Sequence, residues 1–156
     1  MRQTLLHLPL LAAPAFAAQS AEDFQWTFDA ACLHSQPALI ERGAEELAGN
    51  IGLQKLEAAD VNAAWMGDNG MMMMVDGTPL ETTCIIALPQ SEIADNAATL
   101  AAAIGERIAA KAKDSPVTET SEEGVTSWAW VRDDVSFEAE VEARDGHYTL
   151  SLVASR

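Results

Sequence analysis

The last third of the chain has the most regular alternation of apolar and polar residues. From residue 135 to 143, an apolar side chain at every second position alternates with serine or glutamate. This period of two is typical of a β-strand with one packed and one solvated face. Residues 125–131 and 147–154 have similar patterns, and short turns at 132–134 and 144–146 connect the three segments. The pattern predicts a three-stranded antiparallel meander.

A second group of strands is predicted in the middle of the chain. Residues 63–68, 71–75 and 82–88 are rich in apolar and β-branched side chains. Asn69-Gly70 lies between the first two segments and is the strongest signal for a two-residue hairpin turn. Residues 76–79 contain glycine and proline and form a second predicted turn. We therefore expect a second three-stranded meander.

Helical periodicity precedes the first group of strands. Phe24, Phe28 and Cys32 recur every four residues, so they would share one face of a helix that begins at Ser20. The alternation of Phe24, Trp26 and Phe28 also fits a strand, which is the competing interpretation.

Two more amphipathic helices are predicted. Pro37 suits the first turn of one helix, which carries apolar residues between positions 39 and 47. The other begins with Ser91 as its N-cap, and its apolar residues keep helical spacing from 93 to 108.

These elements predict the α+β fold class, in the order α(α)-βββ-α-βββ. Because sequential strands usually pair, we expect the two β-meanders to form an antiparallel sheet of five or six strands. Two or three helices would pack on one face of that sheet.

Residues 53–62 fit a helical turn or a loop, and the acidic residues 117–124 are predicted to form a loop. Residues 18–156 should form a single domain.

The first 17 residues have the pattern of a secretory signal peptide. Arg2 precedes a short apolar stretch, and Ala15-Phe16-Ala17 is a typical cleavage site. The apolar stretch is too short to span a bilayer; a short N-terminal anchor or amphipathic helix is the alternative interpretation. We expect the protein to be exported to a periplasm or, alternatively, secreted.

The two cysteines, Cys32 and Cys84, agree with an exported protein. They lie in predicted regular elements without C-x-x-C spacing, so no redox or zinc motif is present. In an oxidising compartment, such a pair predicts one structural disulfide. Two buried free thiols are the alternative.

The chain is strongly acidic, with 24 Asp and Glu residues, 9 Lys and Arg residues and a formal charge of −15. Phosphate backbones and anionic membranes are bound by clustered cations, so we expect neither nucleic acid nor, after signal cleavage, a membrane as partner. The charge favours a cationic partner.

Two groups of residues are candidates for binding. Glu138, Glu140 and Glu142 form an acidic stripe, which is either a solvated face, a surface for a cationic protein or a weak divalent-ion site. Trp128 and Trp130 share one strand face, so they either pack in the core or form an exposed platform for a sugar, a peptide or a protein.

The run Met71–Met74 raises the possibility of copper handling, because thioethers are soft ligands that select Cu(I). A strand divides the four side chains between its two faces, so only two, such as Met71 and Met73, could share one ion. Core packing and a methionine-rich partner surface are the alternatives.

The sequence contains none of the common catalytic motifs, such as G-x-S-x-G, S-x-x-K, H-E-x-x-H or a Walker loop. We therefore expect no cofactor and a non-enzymatic binding or protein-interaction module, whose partner is a cationic protein or a small ligand. The alternatives are a small hydrolase with a carboxylate-based site and periplasmic copper handling through Met71–Met74.

Overall fold

The computed structural model of the protein describes residues 18–58 and 60–156, so the predicted signal peptide lies outside the described residues. The helices are α1 Ala21–Ala31, α2 Ile40–Ile51 and α3 Ala97–Ala112, with short 3₁₀ helices at Pro37–Leu39 and Gln90–Glu92. The strands are β1 Gln54–Leu56, β2 Ala63–Met66, β3 Met72–Gly77, β4 Glu81–Pro89, β5 Thr118–Glu122, β6 Val125–Arg132, β7 Val135–Arg144 and β8 His147–Ser155. The predicted α+β class is confirmed.

In the described part of the chain, eight strands form one antiparallel sheet in the order β1-β2-β3-β4-β8-β7-β6-β5. Each half of the chain contributes a four-stranded meander, and the two meanders meet through their last strands. Cys84 of β4 lies opposite Leu152 of β8 at this junction. The prediction of five or six strands was therefore too low, although the antiparallel pairing and the two meanders are confirmed.

The two strands that the pattern did not predict, β1 and β5, are the edges of the sheet. Every residue of both strands is exposed, so neither has an apolar face to produce alternation. β5 pairs with β6 through a tight turn at Glu123 and Gly124, which both have positive φ angles, as a type I′ hairpin turn requires. The prediction of a loop at 117–124 was thus wrong because pairing, not burial, forms this strand.

The first helix is confirmed, and the competing strand interpretation is wrong. Ser20 caps α1, since its hydroxyl accepts a hydrogen bond from the Asp23 backbone N–H at 3.1 Å. Phe24, Phe28 and Cys32 are fully buried. The third helix starts later than predicted: the Asn96 side chain, rather than Ser91, accepts the capping hydrogen bond.

The helices do not all cover one face of the sheet as predicted. α2 packs against β3 and β4, and α3 packs against β6 and β7, whereas α1 packs mainly against α2 and α3. Phe24 and Phe28 of α1 belong to the buried core that also contains side chains of α2, α3 and the sheet. None of the helices in the described ranges is long and apolar enough to cross a membrane.

A disulfide joins Cys32, at the end of α1, to Cys84 on β4, as the sequence predicted. Their Cα atoms are 5.6 Å apart and both residues are fully buried. The bridge closes a loop of 52 residues, for which the chain-entropy relation gives a stabilisation of about 4 kcal/mol. α1, which packs mainly against the other two helices, is therefore also covalently attached to the sheet.

The β2–β3 connection is longer than the predicted two-residue turn. β2 ends at Met66 and β3 begins at Met72, and between them the Asn69 side chain accepts a hydrogen bond from the Met71 backbone N–H at 3.0 Å. This hydrogen bond stabilises a wider loop. Asn69-Gly70 therefore lies in a hairpin connection, as predicted, but it does not form the whole turn.

Candidate functional site

Alternate positions along each strand divide the sheet into a packed face and an open face. On β4, Cys84 and Ile86 are fully buried, whereas Thr83 and Ile85 between them are only partly buried. We define the open face as the side formed by Thr83, Ile85 and their cross-strand partners on the other strands. The hydrophobic core of the described residues does not include Thr83 or Ile85.

One half of the open face, on β5 to β7, concentrates negative charge and is termed the acidic half. Glu138, Glu140 and Glu142 lie along β7, and Glu122 of β5 shares a row with Glu142 across Val125. Two shallow clefts of about 280 and about 470 Å³ lie along this half. The structure thus brings the predicted acidic stripe together on one partly solvated surface.

Few positive groups lie beside the acidic half. Arg144 Nε is 2.9 Å from Glu142 Oε1, and the Ser127 hydroxyl donates a hydrogen bond to Glu140 Oε2 at 3.4 Å. Glu138 is exposed and forms no ion pair within residues 18–58 and 60–156. Adjacent like charges on a sheet repel each other, so this half attracts cations from solution.

The other half of the open face, on β1 to β4, has fewer acidic residues and more apolar ones, several of which are exposed, although Asp76 (opposite Thr83) and Glu81 also lie on it. Met66 of β2 is directly opposite Met72 of β3, and Met74 lies two positions further along the same face. Met66 is 42% exposed and Met72 is 39% exposed, which is high for such large apolar residues. We term these three residues the methionine cluster; Leu56 and Ile85 flank it on the neighbouring strands.

The methionine pair that the sequence suggested as metal ligands does not lie on the open face. Met71 and Met73 are buried in the core, while Met72 and Met74 are on the open face. The predicted division of the run between two faces therefore occurs. Met66 was missed because the sequence alone did not define the register of β2 against β3.

Trp128 and Trp130 lie on the packed face. They are 2% and 5% exposed. Trp130 stacks on Phe137 with ring centroids 5.0 Å apart, and the indole N–H of Trp128 donates a hydrogen bond to Glu119 Oε2 at 2.8 Å. An aromatic platform needs exposed rings, so the burial of these two supports the core-packing alternative.

The most extensive ion-pair network connects α1 to α3. The buried Asp29 carboxylate pairs with Arg107 and with Lys111, whose Nζ is 2.8 Å from Asp29 Oδ1. Arg107 also lies over the exposed Trp26 ring, 3.9 Å from its centroid. A cleft of about 240 Å³ opens beside Lys111 and Arg132. Because these cations already have internal partners, the network is better suited to holding helices together than to binding an anion.

Among the residues that the structure describes, neither histidine is hydrogen-bonded to a carboxylate. His34 Nε2 donates to the Ala30 carbonyl at 2.9 Å, and His147 Nδ1 donates to the Asp145 carbonyl at 3.1 Å. In the part of the chain that the structure describes, no group of three histidine, cysteine or carboxylate side chains could hold a metal ion.

Comparison with known proteins finds no matching family model, and neither a curated protein nor a solved structure is significantly similar to this chain.

Proposed function

We propose that the protein is an exported, non-enzymatic binding module whose open face binds a polypeptide with lysine or arginine side chains next to apolar ones. The observation that carries this proposal is the combination, on one face of a single sheet, of an acidic half with a half on which Met66 and Met72 are exposed. The acidic half matches the lysine or arginine side chains of such a partner, and the other half matches its apolar side chains.

The acidic half would supply attraction and selectivity. Complementary charge accelerates association and discriminates against partners of the same sign. Glu138 and Glu140 have no cationic partner among the described residues, so binding a cation would also relieve their mutual repulsion. These are the residues that the sequence singled out for a cationic protein.

The apolar half would supply most of the binding free energy, since removing apolar surface from water contributes roughly 25 cal/mol per Å². Methionine is suited to this role because its flexible thioether adapts to different partner side chains. The strand between the halves, β8, contributes Thr149, Ser151 and Val153 to the open face. These side chains are small, so a partner could contact both halves at once.

Export is part of the proposal. The disulfide between Cys32 and Cys84 is typical of a protein that matures in an oxidising compartment. Together with the predicted leader, it favours a periplasmic location or, alternatively, secretion.

The test is binding of a synthetic amphipathic peptide of lysine and leucine, measured calorimetrically at low and high salt. We expect affinity to fall as salt screens the charges. The triple variant Glu138→Gln, Glu140→Gln and Glu142→Gln should weaken binding by about tenfold or more, which corresponds to about 1.4 kcal/mol.

The matched control changes the same number of charges elsewhere. Glu22, Glu41 and Glu106 are exposed residues on the helices, and their replacement by glutamine should leave the affinity within about twofold of the original. Equal weakening by both triple variants would mean that only net charge attracts the peptide, and the proposed surface would then be wrong.

A further inference from the structure

We propose that the methionine cluster, Met66, Met72 and Met74, is a thioether site for Cu(I). The site lies on the open face, but it depends on sulfur chemistry rather than on the acidic half. It therefore goes beyond the proposed polypeptide binding and can be tested separately.

The register of β2 and β3 brings the three side chains together. Met66 and Met72 are direct cross-strand partners, and Met74 is diagonal to Met66 on the same face. Directly opposed residues have Cβ atoms about 4.5–5.5 Å apart, and diagonal neighbours are about 7–8 Å apart. Each methionine has three rotatable bonds beyond Cα, so the sulfur atoms can reach a common point.

Ala64 provides independent evidence that larger side chains cover this corner of the sheet. It is directly opposite Met74 and belongs to the open face, outside the hydrophobic core cluster, yet it is only 6% exposed. A small side chain on an open face is buried only when larger neighbours lean over it. Its cross-strand neighbours on that face are Met74 on β3 and Leu56 on β1, and Met66 is two residues along the same strand.

The ligand chemistry selects a soft ion. Neutral thioethers favour Cu(I), whereas carboxylates and water favour hard ions such as magnesium and calcium. Both cysteines are in the disulfide, so the chain has no free thiol to compete for the ion. The net charge of −15 also favours accumulation of a cation at the surface.

The alternative pair, Met71 and Met73, is a poorer site. Both side chains are buried in the core, so an ion would have to enter closely packed apolar surroundings. The cluster on the open face needs no such rearrangement.

The test is titration of the oxidised protein with Cu(I) under anaerobic conditions, with ascorbate as reductant so that the disulfide stays intact. Native mass spectrometry should detect one Cu(I) per chain. Carbon-13 labelling of the methionine methyl groups should show shifts for Met66, Met72 and Met74 but not for Met71 or Met73. Silver(I), a soft ion that is added without ascorbate because ascorbate would reduce it to the metal, should give the same pattern.

Leucine substitutions separate sulfur chemistry from apolar contact. Met66→Leu, Met72→Leu and Met74→Leu together should abolish Cu(I) binding, while the matched core variant Met71→Leu and Met73→Leu should retain it. The triple variant Glu138→Gln, Glu140→Gln and Glu142→Gln, which should weaken peptide binding, should retain Cu(I) binding because the cluster binds the ion through sulfur, so the two proposals can fail independently. Absence of Cu(I) binding by the original protein, or its loss only in the core variant, would overturn this inference.

Discussion

The two four-stranded meanders have similar packed faces and different open faces. Val75 in the first and Leu150 in the second are both fully buried on the packed side. On the open side, the first meander exposes Met72 and the second exposes Glu138. Any residue on the packed face must be largely apolar to contribute to folding, whichever meander it belongs to. The open face has no such requirement, and we propose that the difference between the meanders there serves binding.

The disulfide is expected to have the largest effect on stability, because it connects α1 to the strand at which the two meanders meet. Replacing Cys32 and Cys84 together by alanine should lower the free energy of unfolding by about 4 kcal/mol. Urea denaturation monitored by tryptophan fluorescence measures this change. A loss below about 1 kcal/mol would show that packing alone holds α1 to the first meander.

A pair of neighbouring substitutions on β8 tests the contrast between the two faces. Leu152 is fully buried opposite Cys84, whereas Val153 is only partly buried on the open face. Leu152→Ala should lower the free energy of unfolding by about 3 kcal/mol, and Val153→Ala by about 1 kcal/mol or less. Similar losses for the two variants, measured by urea denaturation, would contradict the assignment of an open face.

The smallest expected change in the free energy of unfolding is an increase rather than a decrease. Glu138→Lys places a cation two residues from Glu140 on the same face of β7 and should raise the free energy of unfolding by about 0.2–1 kcal/mol, as for an exposed ion pair. The gain should decrease at high salt, because the charges are exposed. The same variant should weaken binding of the lysine–leucine peptide. If Glu138→Lys lowered the free energy of unfolding and left peptide binding unchanged, the proposed difference between the open faces of the two meanders would be wrong.

Strands with one packed face could be predicted closely from the sequence. The predicted segments 125–131, 135–143 and 147–154 begin at the same residues as β6, β7 and β8, and each strand is one residue longer than predicted. Their alternation reflects burial on one side only, which local sequence records directly. β5 has no buried side, so its strand conformation depends on its pairing with β6. Its residues therefore show no alternation of apolar and polar side chains in the sequence.

The register of β2 against β3 could not be predicted from the sequence accurately enough to bring the three residues of the methionine cluster together. A two-residue turn at Asn69-Gly70 would place Met66 opposite Met73, whereas the longer loop places it opposite Met72. A shift of one residue moves a side chain to the other face of the sheet. The loop therefore determines whether Met66 joins the open face.

The sequence by itself determined the α+β class, the two meanders, the cysteine pair and the acidic stripe of β7, because each depends on local periodicity or on residue type. Only the tertiary structure decided that Trp128 and Trp130 are buried and that three methionines from two strands share a surface. Those facts depend on which strands pair, in what register and beneath which helix, and these long-range contacts are not encoded in any short segment of the chain.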